Sequence, residues 1–483
     1  MTRVICVAAG QGSTKKLNNE VNRRHRYLNY GLLSLATILK RRGIDPLVVH
    51  GHFDPPGTTV QRALSLGLRE TELPVLISLP SFYAVGWTRE FIRLAKAERP
   101  GLRFILGGRW VVDGRPDFLK SLIPEADEIV SGLAEGLIGD LVLSQRLPGL
   151  VRSKESLADE VRVSCLDFSL LSQRELYQPS LEVSRGCGMG CSFCQERSEL
   201  LQPLKSPAQL VRELSATLLY DSLTEMTPYF EASMFVPSTD WATRFGQSLN
   251  DAELSLRWRT EGRVDNIRPE LIPALAASGL KVLDLGLESA SEQQLVRMKK
   301  TKSPSRYLTQ ASRLIEACGA AGVMAKVNLL LFAGETDDTL AETVAWLDAR
   351  RELIHGVSAG PIIVYGWPQA VGDYLHELST HGATVHHSPC TGVTHLNLSS
   401  TIGHERALEL SRSISRRYMT AENYFFLKSF SYFGRDYTFD AFSQDVLSLP
   451  PDLSFDSTHL RAHAPIEDAI IPMTNNSVKD LYR

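Results

Sequence analysis

Three of the chain's seven cysteines sit close together, as Cys187-x3-Cys191-x2-Cys194. Thiolates at such short spacing suit a soft metal or an iron–sulfur centre. Gly186, Gly188 and Gly190 are interleaved with them, and glycine lets a backbone wrap tightly round a compact inorganic group. Three thiolates are one short of a closed four-ligand site, and residues 195–204 hold no fourth Cys or His. An incomplete set leaves one metal position open for chemistry. The other reading is a structural zinc knuckle with a distant fourth ligand, although zinc ligands usually come as two spaced pairs. His386, His387 and Cys390 make a weaker metal candidate, read in preference as a loop near a substrate. Cys6 and Cys318 lie in apolar patterns and read as core. Cys165 is left without a role. The odd count argues against a disulfide framework.

A second set of residues could move protons. Strand side chains alternate between faces. Arg257, Arg259, Glu261 and Arg263 therefore share one face of a strand. Four charges cannot face an apolar helix layer cheaply, so this face is expected to point into a barrel. Asp284, Gly286 and Glu288 share a face of the next strand, and Lys326, Asn328 and Leu330 of the one after. An earlier strand offers Tyr229, Glu231 and Ser233, and a last one Tyr365. Asp284, Glu261, Lys326 and Tyr365 are the acid–base candidates.

The elements that must position these groups fall into two alternating halves. Residues 4–9, 46–50, 75–79, 103–106 and 128–130 read as strands, separated by helical patterns at 31–42 and 87–98. That alternation implies a doubly wound α/β domain over 1–150. Residues 151–176 read as a linker. Strands at 181–184, 228–235, 256–263, 282–288, 325–332 and 362–365, with helices between, imply a partial β/α barrel over 177–375. Residues 376–483 read as a mainly helical C-terminal segment and tail.

The 483 residues carry a net charge of −3, with 43% hydrophobic and 22% charged. Bulk disorder is excluded, as is a surface dominated by nucleic-acid contacts. No apolar run approaches the roughly 18–20 residues that span a bilayer. The opening MTRVICVAAG runs into polar QGSTKK without a signal-peptide layout. A cytoplasmic protein that binds neither nucleic acid nor membrane is expected. Gly10-Gln11-Gly12 reads as a flexible turn. The basic run of Lys15, Lys16, Arg23, Arg24, His25 and Arg26 reads as a solvated face, or as cover for a ligand at the sheet edge.

The cysteine spacing, with Phe193 before the third Cys, resembles that of the radical SAM superfamily. Gly262-Arg263-Val264-Asp265, Leu285-Gly286-Leu287-Glu288-Ser289 and Gly334-Glu335-Thr336 follow in the order found in members with an N-terminal cobalamin-binding-like domain. Gly107-Gly108 and the turn Ser131–Gly136 are similar to parts of that domain. The resemblance implies a [4Fe–4S] cluster on Cys187, Cys191 and Cys194, and cleavage of S-adenosylmethionine to a 5′-deoxyadenosyl radical. It implies that Arg263 pairs with the cofactor's carboxylate and Glu288 contacts its ribose, with Phe193 at the usual aromatic position; of the other inward-facing residues, Glu231 is expected to accept the cofactor's ammonium and Asn328 to lie beside it.

Two departures bear on cobalamin. Gly107-Gly108 is followed by bulky Arg109 and Trp110, and Gly132-Leu133-Ala134-Glu135-Gly136 differs from the usual Gly-Glu-Gly-Glu. Both point to a domain that no longer binds cobalamin, although a bound cobalamin stays open as the alternative. The favoured expectation is hydrogen abstraction from a sugar-like substrate. It resembles the diol dehydratases of aminoglycoside antibiotic biosynthesis, as in the apramycin pathway, which act on paromamine at C3′. A lyase of this kind would need an electron donor such as flavodoxin or ferredoxin, and a reductase partner to complete deoxygenation. The alternatives are a cobalamin-dependent C-methyltransferase and a zinc-stabilised binding module without enzyme activity.

Overall fold

The computed structural model describes residues 3–12, 20–108, 116–144, 149–152, 166–197, 199–221 and 227–462. Strands β1 (Arg3–Ala8), β2 (Asp45–His50), β3 (Val75–Ser78), β4 (Phe104–Gly107), β5 (Glu128–Ser131) and β6 (Gly149–Arg152) form one parallel sheet. Their order is β2-β1-β3-β4-β5-β6. Val4, Ile5, Cys6 and Val7 are all fully buried, as the central strand of a sheet covered on both faces must be. The helices Tyr30–Arg41 and Val85–Glu98 pack against it where their apolar spacing predicts. The sheet has one strand more than the sequence reading gives, because β6 pairs with β5 where a linker was expected to begin. The rest of that stretch is not free chain either. Phe168, Leu170 and Leu171 are buried in the same core as Leu33 and Val48.

Strands β7 (Ser180–Glu182), β8 (Tyr229–Glu231), β9 (Trp258–Arg263), β10 (Leu280–Glu288), β11 (Met324–Leu331) and β12 (Ile354–Pro361) form the second parallel sheet, paired in sequence order. This is the expected partial barrel, but its sixth strand is a different one. Residues 363–365 instead form β13 (Ile363–Tyr365), which joins β14 (Thr384–Cys390) and β15 (Val393–Asn397) in an antiparallel sheet. Tyr365 therefore leaves the barrel. Its ring stacks on Phe82 of the N-terminal domain, with centroids 6.0 Å apart.

The C-terminal region is helical, with helices His404–Tyr418, Ala421–Lys428, Phe439–Ser448 and Thr458–Ala462. Met419, Leu427 and Phe430 pack with Val282 of β10. A Cβ on Gly356 of β12 would stand 2.9 Å from Leu427. These helices thus fill the lower interior that six strands leave open. No helix among the described residues is long and apolar enough to cross a membrane.

Candidate functional site

The cysteine loop leaves the end of β7. Gly186, Gly188 and Gly190 have φ of +70°, +66° and +70°, a region L-residues avoid. At Gly186 the chain is also pinned, since a Cβ would lie 2.1 Å from the Leu200 carbonyl oxygen. The thiols of Cys187, Cys191 and Cys194 are unpaired, with Cys191 buried and the other two half-buried. Cys194 Sγ accepts the Glu196 N–H at 3.4 Å. Arg263 Nη1 lies 3.2 Å from Cys191 Sγ, and a cation there favours the thiolate that a metal needs. Three thiols on a glycine-built loop beside a guanidinium fit a three-thiolate cluster. Gly186→Ala is expected to keep the far-UV circular dichroism but lose the iron taken up on anaerobic reconstitution. The left-handed strain alone is of order 1–3 kcal/mol. Unchanged iron content would refute this account of the loop.

Strand register gathers the charged candidates into layers. Asp284 lies level with Glu261 and Lys326, and Gly286 level with Arg263 and Asn328. In the lower layer Lys326 Nζ is 2.8 Å from Asp284 Oδ1, and Arg259 Nε is 2.5 Å from Oδ2. Lys326 also donates to Asn328 Oδ1 at 2.9 Å. Arg259 is held by the Leu427 carbonyl and lies over the rings of Tyr229 and Tyr432. Arg257 does not join them. It precedes β9 and is exposed.

The environment ranks the acid–base candidates. Burial raises the Asp284 carboxyl, but Arg259 and Lys326 outweigh it and hold it down to about 2. Asp284 is therefore a fixed anion. Glu261 goes the other way. Burial, and then the Asp284 charge, push it up to about 7, against a hydrogen bond from Tyr229. A carboxyl titrating near neutrality can both give and take a proton. Glu231 is pushed up to about 8, first by burial, while Tyr27 donates to its Oε1 at 2.8 Å.

At the upper rim, Arg263 forms a bidentate pair with Asp265, at 2.9 and 3.0 Å. The fork expected to grip an external carboxylate is thus engaged within the chain. Glu288 ends β10 with φ +66°, which turns its carboxylate over the barrel mouth onto Lys300 at 3.0 Å. Gly286 makes room for this pair, since a Cβ there would meet Glu288 Oε1 at 2.9 Å. Lys300 Nζ lies 5.8 Å from the Phe193 ring centroid. Gly334-Glu335-Thr336 has a local role. Glu335 accepts from Thr339 at 2.6 Å, and Thr336 caps the helix Asp337–Asp348.

Sequence reasoning did not single out Lys300, Tyr27 or Tyr432. Lys300 sits in a loop with no periodicity. Tyr27 reaches Glu231 across 204 positions.

The C-terminal edge of the first sheet faces this mouth. Gly10 and Gly51 make room for Trp87, whose indole would be 2.7 and 2.5 Å from a Cβ at each. Gly108, at φ +103°, lets Leu79 approach. His50 accepts the Asn29 N–H at 3.0 Å, and His52 pairs with the Tyr177 hydroxyl at 2.9 Å. Glu135, in the departing turn, pairs with Arg185 of the cysteine loop at 2.8 Å. Lys15, Lys16, Arg109, Trp110 and Cys165 lie outside the described residues.

Residues 181–347, which span most of the barrel, match the family described as the Radical SAM superfamily. No curated protein matches the sequence. Among solved structures, the radical S-adenosylmethionine methyltransferase TsrM from Kitasatospora setae, with tryptophan substrate and a SAM analogue bound, is 16% identical with a TM-score of 0.54. The match covers 74% of this chain and 73% of TsrM. OxsB, a cobalamin-dependent S-adenosylmethionine radical enzyme with aqua-cobalamin and S-adenosylmethionine bound, is 18% identical with a TM-score of 0.55. That match covers 79% of this chain and 55% of OxsB, so the chain spans about half of OxsB's length. At these identities the likeness establishes the fold, a doubly wound domain joined to a partial β/α barrel.

Proposed function

We propose that this chain is a radical SAM enzyme acting on a small polar substrate held in the barrel above Asp284. The observation that carries the reading is the contact of Arg263 with Cys191, which joins the cysteine loop to the rim of the barrel. Cys187, Cys191 and Cys194 would hold a [4Fe–4S] cluster, which, once reduced by an external one-electron donor, would supply the electron that splits S-adenosylmethionine into methionine and a 5′-deoxyadenosyl radical. Arg263, with Asp265, and the Glu288–Lys300 pair orient the cofactor's polar groups at the rim. Glu231, beside Tyr27, ionises to meet its ammonium. Asp284 anchors Arg259 and Lys326 as a fixed floor. Glu261 is the group that exchanges a proton with substrate.

Two finer readings remain. Cobalamin-dependent methyl transfer is supported by the two-domain likeness to TsrM and OxsB. Diol dehydration of an aminoglycoside precursor such as paromamine is supported by Glu261, a carboxyl near neutrality in a polar barrel.

Anaerobic incubation with S-adenosylmethionine, dithionite and hydroxocobalamin separates them by mass spectrometry. 5′-Deoxyadenosine alone supports hydrogen abstraction. 5′-Deoxyadenosine together with S-adenosylhomocysteine supports methyl transfer. Neither product from the iron-reconstituted chain refutes the radical SAM proposal.

A further inference from the structure

Far in sequence from the cysteines, four histidines converge where the antiparallel sheet meets the helix His404–Tyr418. The ladder sets His387 of β14 level with His395 of β15. His404 opens the helix, its backbone N–H held by Asn397 Oδ1 at 3.1 Å. One ligand-capable atom from each of His387, His395 and His404 lies within 4.8 Å of the others. Ring centroids are 4.7 Å apart for His387 and His395, and 4.5 Å for His395 and His404.

Hydrogen bonding leaves this cluster unexplained. Both ring nitrogens of His395, and Nδ1 of His404, are shielded from solvent without a partner, and His404 is only 3% exposed. Buried polar atoms of this kind call for a partner.

We infer that His387, His395 and His404 bind a divalent transition-metal ion of the zinc class, which clasps the antiparallel sheet to the helix lying on the barrel. Three imidazoles suit zinc and leave a fourth tetrahedral position. His386 stands beside the cluster, its ring 4.7 Å from His387 and 5.0 Å from His404, with Glu405 3.8 Å from its Nε2. Cys390, grouped with His386 and His387 by sequence position alone, is not among the converging groups and packs instead against the N-terminal core.

The test uses the full chain carrying Cys187→Ala, Cys191→Ala and Cys194→Ala, so that thiols of the cluster loop cannot compete. Zinc alone, then cobalt(II) alone, is titrated in. Binding of one equivalent is expected, with visible cobalt bands of a tetrahedral nitrogen site and a zinc-dependent rise in melting temperature. His387 is exposed, so His387→Ala should fold normally. It is expected to weaken zinc by about 100-fold or more, since even outer-contact mutations cost about 10–100-fold. Absence of zinc binding, or equal affinity in the His387→Ala chain, overturns the inference.

Discussion

Replacing Cys191 with alanine is expected to abolish formation of 5′-deoxyadenosine while leaving the fold intact. Each of the three thiols is needed, because among the described residues no other cysteine stands ready to substitute. Cys6 and Cys318 are fully buried in apolar cores, where burial pushes both thiols up to about 12. Cys390 belongs to the antiparallel sheet. Cys191 is also the thiol that Arg263 touches, so its loss removes a ligand and the partner of a buried cation. Turnover should fall by far more than the ~10–100-fold that a lost outer contact costs a metal site, and bound iron should fall with it. Cys318→Ala is the control. It should cleave S-adenosylmethionine at the parental rate, with a loss of roughly 1 kcal/mol for a small core cavity. Full turnover and full iron content in the Cys191→Ala chain would remove the cluster assignment.

The parts of this architecture that were legible in the sequence are those where chemistry repeats with a period. Val4 to Val7 and Val75 to Ile77 are apolar runs that only a parallel sheet covered on both faces buries. The alternation Glu261/Arg263, Asp284/Glu288 and Lys326/Asn328 placed these groups on inward faces, and register then brought them level. Strand β12 was illegible because His355, Gly356, Ser358, Gly360 and Pro361 carry little strand preference. Its neighbour at 363–365 is richer in β-branched and aromatic residues, and so drew the assignment to itself. The pairing of charges was illegible for another reason. Parity says which residues share a face, not that Asp284 would collect both Arg259 and Lys326. That outcome left the carboxyl best placed in the barrel unable to act as a base. The histidine cluster combines two strands and a helix start, spanning residues 387 to 404, and no spacing rule links such positions.

Asp284→Asn is expected to destabilise the chain by about 3–5 kcal/mol, the cost of leaving buried charges unpaired. Asn keeps the shape but removes the charge between Arg259, 1% exposed, and Lys326, 8% exposed. The melting temperature should drop by roughly 10 °C. The two carboxyls of this layer then separate by pH. Asp284 is held at about 2, below the ordinary 3.8, so its folded state binds fewer protons than the unfolded one. Its stabilisation is present above about pH 4 and is lost as pH falls through 2. Glu261 is raised from 4.5 to about 7, so the folded state holds the proton longer, and stability declines as pH rises from 4.5 to 7. Glu261→Gln should therefore flatten that decline and stabilise the chain at pH 8, while substrate turnover falls and loses its dependence on a group near 7. Cleavage of S-adenosylmethionine in the absence of substrate should persist in Glu261→Gln, because Glu261 lies a layer below Arg263. A Glu261→Gln chain that keeps substrate turnover and its pH limb would return the proton-transfer role to Lys326, the remaining candidate in the layer, since Asp284 is fixed as an anion by the two cations that grip it.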